Sequence, residues 1–429
     1  WKPGPAMAQL KDDCFAFGGD LMPLDAALER LGDDVGCVAG VETVALRQAA
    51  GRILAEDISS DRNVPPHDNS AVDGFAVYFD DLDPDADTRL GVAGRIAAGH
   101  PLEGPAERGN AYRIFTGAPM PPGPDTIFME EDCSVEQTGH RDVVVLPPGL
   151  KQGSNRRFAG EDVKVGDVII RAGMRLRPQE VGLAASVGCD ELPVYTRLRT
   201  AVFSTGDEVR DPGGEANEGS IYDANRYAVM ALLEGLGCAV TDLGILPDDE
   251  GAITAALAKA APDHDLLVTS GGVSAGEEDH VKGAVEELGQ LHFWRLAIKP
   301  GRPIALGQVG DVAFLGLPGN PVAAMVTFLV IGRPLVLLLS GATDVRPHHF
   351  PVEVGFDYKK KKGRREWARV TLETTDDGRP VAMKHHSSGA GILTSMVEAD
   401  GLVELDEDTV TLEKGAMAPF LPFNEITGR

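Results

Sequence analysis

Between residues 200 and 340, short apolar runs alternate with helical stretches, and this alternation constrains the fold more than any other feature of the chain. Ala201-Val202-Phe203, Asp265-Leu266-Leu267-Val268-Thr269 and Val312-Ala313-Phe314-Leu315 read as strands, and another strand ends at Ile245-Leu246. Between them lie helical segments from Tyr227 to Leu233, closed by Gly235 and Gly237, from Ile253 to Ala260, and from Val281 to Leu288, stopped by Gly289. A last helix starts at Pro321. The pattern predicts a doubly wound, mostly parallel sheet. Strands that are apolar throughout suit burial on both faces.

The flanking sequence has a different texture. Residues 22–54 read mainly as helix, with Leu24, Ala27, Leu28 and Leu31 as the stripe. From about residue 59 to residue 150, short β-like runs such as Phe75-Ala76-Val77-Tyr78 and Val143-Val144-Val145-Leu146 alternate with Gly/Pro turns, as in an inserted β domain. From about residue 351 the chain is β-like again and predicts a small C-terminal β domain. A length of 429 residues exceeds what one core supports.

The net charge of −26 argues against a nucleic-acid partner, because phosphate backbones need a cationic surface. An anionic small molecule would instead need local donors, such as helix-start N–H groups and a few Lys or Arg. Five scattered cysteines without a CxxC pair suggest reduced thiols and a cytoplasmic protein. No membrane span is expected, since Arg333 and Pro334 interrupt the longest apolar stretch, 321–339. Residues 1–6 do not read as a signal peptide and are taken as an added leader before a start at Met7.

Ligands of α/β sheets bind beyond the carboxyl ends of the strands. Three polar loops are expected there: Ser204-Thr205-Gly206-Asp207-Glu208, the 270–279 segment with Ser270, Gly271, Gly272, Ser274 and Gly276, and Leu317-Pro318-Gly319-Asn320-Pro321. Glycines let the backbone approach an anion, and a helix start offers free N–H groups. An ordinary Gly-rich turn would look the same, but loops of this kind on neighbouring strands favour a phosphate site. Asn320 and Pro321 also fit a plain helix start, with Asn320 as cap.

Asp207, Glu208, Asp248, Asp249 and Asp279 all follow expected strands. They are either solvated surface or, gathered at one sheet edge, oxygen ligands for Mg2+. Arg295, Lys299 and Arg302 form a candidate anion clamp. An exposed Lys299 predicts a cost to stability of only about half a kcal/mol on truncation to Ala. Neither His67 nor the His385-His386 pair has metal-ligand spacing.

Taken together, six segments in this order resemble the molybdopterin molybdotransferase family, the bacterial MoeA-type enzymes and the gephyrin E domain. They are Asp68-Asn69-Ser70-Ala71-Val72-Asp73-Gly74-Phe75, Arg113-Ile114-Phe115-Thr116-Gly117-Ala118-Pro119, the 204–208 loop, the 270–277 loop, Lys299-Pro300-Gly301 and the 317–322 loop. The resemblance implies an elongated homodimer of four-subdomain chains, with bounds 21–60 plus 154–198, 61–153, 199–340 and 341–429. The third subdomain is the α/β unit and the fourth is barrel-like.

The resemblance further implies Mg-assisted hydrolysis of adenylylated molybdopterin, loss of AMP and placement of molybdenum on the dithiolene sulfurs. Asp73 and Thr116 are expected to reach the partner subunit's cleft, and Asp162 matches another functional acid. Glu208, Asp248 and Asp279 match acids around the pyrophosphate and metal. Arg364 and a serine would hold molybdate. Ala390 occupies the usual serine position, and Ser387 or Ser388 takes its place. Arg295 and Arg302 stand where many members carry Lys. An upstream molybdopterin adenylyltransferase is the implied partner. The rival readings are that adenylyltransferase itself, whose fold resembles the α/β unit alone, and a non-catalytic cofactor-binding scaffold.

Overall fold

The computed structural model describes residues 21–138, 141–215, 217–272, 280–301 and 303–427. Ser274, Gly276, Asp279 and Arg302 therefore lie outside the described residues. The chain divides into two compact units. One holds the residues up to Glu56, 172–177 and 192 onward, and the other holds 57–171 with 178–191.

The larger unit opens with helix α1 (Leu24–Asp34), which buries Leu24, Ala27 and Leu31. The expected continuation of helix to residue 54 is not found. Val41–Ala45 is a strand, followed by a single 3-10 turn at Leu46–Gln48. Gly36 and Gly40 break the helical stripe, and β-branched Val41, Thr43 and Val44 favour the extended chain.

The α/β elements then follow in order. They are β1 (Arg199–Thr205), α2 (Asn225–Gly235), β2 (Ala239–Leu246), α3 (Glu250–Ala260), β3 (Leu266–Ser270), α4 (His280–Leu288), β4 (Gly289–Arg295), β5 (Pro303–Val309) and β6 (Val312–Leu317). The spatial order is β2-β1-β3-β6-β5-β4. The first four strands run parallel, whereas β5 and β4 are antiparallel. The doubly wound expectation therefore holds, and its missing part is this antiparallel edge.

Alternate strand residues serve opposite faces. Val202, Val268 and Leu315 pack with Val229 and Leu233 of α2 and with the long helix α5 (Pro321–Leu339). Ala201, Phe203, Leu267 and Phe314 pack instead with Ile253 and Leu257 of α3 and with Val281 and Val285 of α4.

Helix α5 runs through Arg333 and Pro334 rather than breaking there. A π turn at Phe328–Gly332 precedes Pro334 and offsets the N–H that proline lacks. By length and composition alone α5 could cross a membrane, but 78% of it is buried inside the protein, as in a core helix.

The C-terminal strands are β7 (Phe350–Val354), β8 (Arg365–Thr374), β9 (Pro380–Lys384), β10 (Gly401–Leu405) and β11 (Met417–Pro422). They close into a five-stranded barrel in the order β8-β9-β7-β11-β10, with β10 pairing back to β8. Val354, Val370, Ala382, Val403 and Leu405 fill it.

The smaller unit is built on a six-stranded sheet. Its strands are ordered Thr126–Met129, Gly74–Val77, Asn110–Ile114, Thr88–Ile96, Arg141–Leu146 and Ser134–Thr138. Its two faces bury Phe75, Val77 and Phe128 on one side and Ala76, Tyr112 and Ile127 on the other.

Candidate active site

The parallel register sets three strand ends level. Ser204 is paired with Ser270, and Ser270 with Leu317. Beyond these ends lies a cavity of about 130 Å3, lined among others by Ser204, Thr205, Glu208, Ser270, Gly271 and Gly319. Gly271 and Gly272 both take left-handed backbone, at φ +90 and +64. A Cβ on Gly272 would stand 2.6 Å from Thr205 Oγ1, so conformation and space both require glycine there. The Ser204 hydroxyl is buried and has no hydrogen-bond partner among the described residues.

Two residues that the sequence reading passed over hold this cavity together. Asn225, in the first turn of α2, donates from Nδ2 to Ser270 Oγ at 2.9 Å and to the Gly319 carbonyl at 2.7 Å. Ser270 Oγ in turn donates to the Pro318 carbonyl at 3.0 Å, so the 270 and 317 loops are tied to each other and to the start of α2. Next to it Arg226, 1% exposed, forms ion pairs with Asp211, Asp223 and Asp242. The only sequence signal for Asn225 was its place just ahead of a helical run, which is also the ordinary place for a cap.

Two of the loop expectations are corrected. Asn320 makes no side-chain cap bond. The helix donor it would serve, Val322 N–H, already bonds the Ala390 carbonyl at 3.0 Å. Asp249 is a structural cap, its Oδ1 accepting from Ala252 N–H at 2.8 Å. Asp207 is exposed, and its carbonyl accepts from Arg210. Glu208 and Asp248 follow the neighbouring strands β1 and β2, where Thr205 pairs with Leu246, and both are exposed. With Asp279 outside the described residues, no group of three or more acid, His or Cys ligands is found among them. The donors that line the cavity, Glu208 and the Ser204 and Thr205 hydroxyls, are nevertheless all hard oxygens, the ligand type Mg2+ takes.

A second cavity, of about 250 Å3, lies between the Lys299 turn and the barrel. Lys299, Arg364, Arg369, Lys384, Ser387 and Ser388 line it. Gly301 presses the turn onto α5, where a Cβ would come within 2.4 Å of Thr327 Oγ1. Arg364 is placed by its own carbonyl, which accepts from the nearly buried Lys360 ammonium at 2.6 Å. Arg369, 4% exposed, donates to the Ser387 carbonyl at 3.0 Å, and burial lowers its pKa. His385 bonds Glu398 through Nε2 at 2.9 Å and accepts the Ser387 N–H on Nδ1 at 3.0 Å, so the serine loop is held from both sides.

Lys299 is exposed, as the sequence predicts, and it is also ion-paired. Its ammonium lies 3.1 Å from Glu366 Oε2, a carboxylate whose side chain is 5% exposed. Tyr358 donates to the same oxygen at 3.0 Å. Burial and the nearby Glu366 charge push the Tyr358 phenol up to about 12. Ala390 lines this cavity too, and its carbonyl anchors α5. Arg295 is exposed on the β4 edge and lines neither cavity.

In the smaller unit the structure brings Asp73 and Thr116 together. Asp73 Oδ1 accepts from the Thr116 amide at 2.7 Å and from its hydroxyl at 2.8 Å, and these two bonds hold the Asp73 carboxyl below its ordinary range. Asp162 is exposed in the same unit.

Comparison with known proteins agrees along the chain. Residues 22–188 match the model of the MoeA N-terminal region (domain I and II), residues 201–337 a probable molybdopterin binding domain, and residues 351–423 the MoeA C-terminal region (domain IV). A molybdopterin molybdenumtransferase of Haemophilus influenzae is 38% identical over 409 residues, covering 95% of this chain and all of that protein. Molybdopterin molybdenumtransferase 2 of Mycobacterium tuberculosis is 36% identical over 387 residues, covering 87% and 93%. The crystal structure of the molybdopterin biosynthesis MoeA protein from Pyrococcus horikoshii superposes with a TM-score of 0.79 at 29% identity, covering 94% of this chain and 99% of that one.

Proposed function

This chain belongs to the MoeA family of molybdopterin molybdenumtransferases, and from that premise we propose that it inserts molybdenum from molybdate into adenylylated molybdopterin, with hydrolytic release of AMP. One observation carries this reading. The hydrogen bond from Val322 N–H to the Ala390 carbonyl ties the loop of the cationic cavity to the helix whose Pro321 lines the phosphate-type cavity. Two anion sites with different donors thus sit one peptide contact apart.

The division of labour follows from the donors. Guanidinium and ammonium groups with serine hydroxyls suit a small tetrahedral dianion such as molybdate. Backbone N–H groups and hydroxyls at level strand ends suit a phosphoanhydride. Hydrolysis of that linkage places charge on phosphate oxygens, and fixed donors stabilise it without reorganising. Glu208, Asp248 and Asp279 would hold Mg2+, which when bound supplies neutralising charge to the phosphates. Asn225 keeps the Ser270 and Gly319 loops at their spacing.

We take the active assembly to be a homodimer in which Asp73 and Thr116 of one subunit serve the partner's site. The pair is pre-set by its own hydrogen bonds and exposed. Supply of the adenylylated pterin falls to a molybdopterin adenylyltransferase acting upstream.

The test is a turnover assay with purified protein, adenylylated molybdopterin and molybdate. AMP release that depends on molybdate is the expected result. Tight binding of the pterin without AMP release would make this a carrier or scaffold. Formation of adenylylated product from ATP and molybdopterin would make it the adenylyltransferase.

A further inference from the structure

The outer wall of the phosphate-type cavity differs in character from its floor. Ile221 and Tyr222 line it, yet they stand 58% and 52% exposed. The Tyr222 ring is fixed rather than free, since its hydroxyl donates to the Gly214 carbonyl at 3.1 Å. The segment beneath it is fixed too. Tyr222 pairs with Arg210, and the Asp223 amide bonds the Arg210 carbonyl at 2.9 Å. The buried Arg226 clamps Asp211 and Asp223 on either side.

Ser204, which lines the same cavity, is in contrast 2% exposed, and its hydroxyl lacks a partner among the described residues. Beside it lie the left-handed Gly271 and the Gly319 loop. A polar floor and a pinned aromatic rim ask for a ligand with an anionic end and a flat apolar end.

We infer that Tyr222 and Ile221 form a stacking platform for a planar heteroaromatic ring whose phosphate lies toward Ser204, Gly271 and Gly319. This inference rests on the reading of the cavity as a phosphate site. Adenine and a pterin share the required chemistry.

The test is calorimetric titration of AMP, dihydroneopterin monophosphate and ribose 5-phosphate into the wild-type protein, Tyr222→Ala and Tyr222→Phe. Stacking of a ring on an aromatic side chain corresponds to roughly 5- to 150-fold in affinity. At least one ring-bearing phosphate should therefore bind the wild type about tenfold or more tighter than ribose 5-phosphate. Tyr222→Ala should abolish that margin and leave ribose 5-phosphate binding unchanged, which also shows the fold intact. Tyr222→Phe should keep the margin. The ligand whose affinity falls identifies the ring as adenine or pterin. If ribose 5-phosphate binds but the ring adds nothing, or adds the same in Tyr222→Ala, the platform is refuted while the phosphate site stands. If the wild type binds none of the three, the phosphate reading falls and the platform with it.

Discussion

Truncating Lys299 tests whether this side chain is part of the fold as well as of the anion site. Glu366 is 4% exposed, and its Oε2 accepts from Lys299 Nζ at 3.1 Å and Tyr358 Oη at 3.0 Å. Among the described residues, Lys299→Ala leaves that carboxylate with a single neutral side-chain donor, Tyr358. Coulomb attraction at that separation in an effective dielectric of about 20 amounts to roughly 5 kcal/mol, an upper bound. The lysine side chain is 51% exposed, so water screens it and replaces it in part. Stripping one donor from a buried charge costs about 1–3 kcal/mol, and about 2 kcal/mol is the expected loss. The double mutant Lys299→Ala/Glu366→Gln removes the uncompensated charge and should recover about half of it.

Urea unfolding followed by tryptophan fluorescence, to which the buried Trp294 and Trp367 contribute, reads both values. The midpoint should fall with the slope unchanged. Molybdate affinity should fall in the single mutant by about 1.5–3 kcal/mol for one charge-assisted contact. A midpoint within about half a kcal/mol of wild type, or strictly additive effects in the double mutant, would refute the coupling of Lys299 to Glu366.

Three further outcomes are expected. Glu208→Gln and Asp248→Asn should each raise the Mg2+ needed for half-maximal AMP release, with partial rescue at excess Mg2+; wild-type activity that persists in excess chelator removes the metal role. Light scattering should give a dimer at micromolar concentration, and a fully active monomer would contradict the shared-site assembly. The third concerns pH. His349 Nε2 lies 3.1 Å from Glu404 Oε2, and that hydrogen bond raises its pKa above the ordinary value of about 6.5. The folded state therefore binds the proton more tightly. The added stability is fully present below about 6.5 and is lost as pH rises through the raised value. The gap in Tm between wild type and His349→Gln should close over that window, and a gap independent of pH would rule the contact out as a proton-linked one.

Much of this architecture was written in local sequence. The period of the apolar residues announced β1, α2, α3, β3, α4 and β6. The polar loops 204–208, 270–272 and 317–321 stood where an α/β sheet places ligands, because strand ends and helix starts have compositional signatures that need no distant partner. Asp73 and Thr116 were legible only through the order of the motifs around them. What spacing cannot encode is which segments meet across the chain. Val41–Ala45 is a strand that pairs with the strand ending at Tyr195, some way along the chain. Strands β4 and β5 turned antiparallel through pairings such as Phe293 with Ala305. Lys299 found Glu366, 67 positions away, and Asn225 found Gly319, 94 positions away. Val322 took the Ala390 carbonyl in place of the Asn320 side chain. Each choice was made by packing, which decides the partner of a charge or an amide only once the core has brought the two segments together.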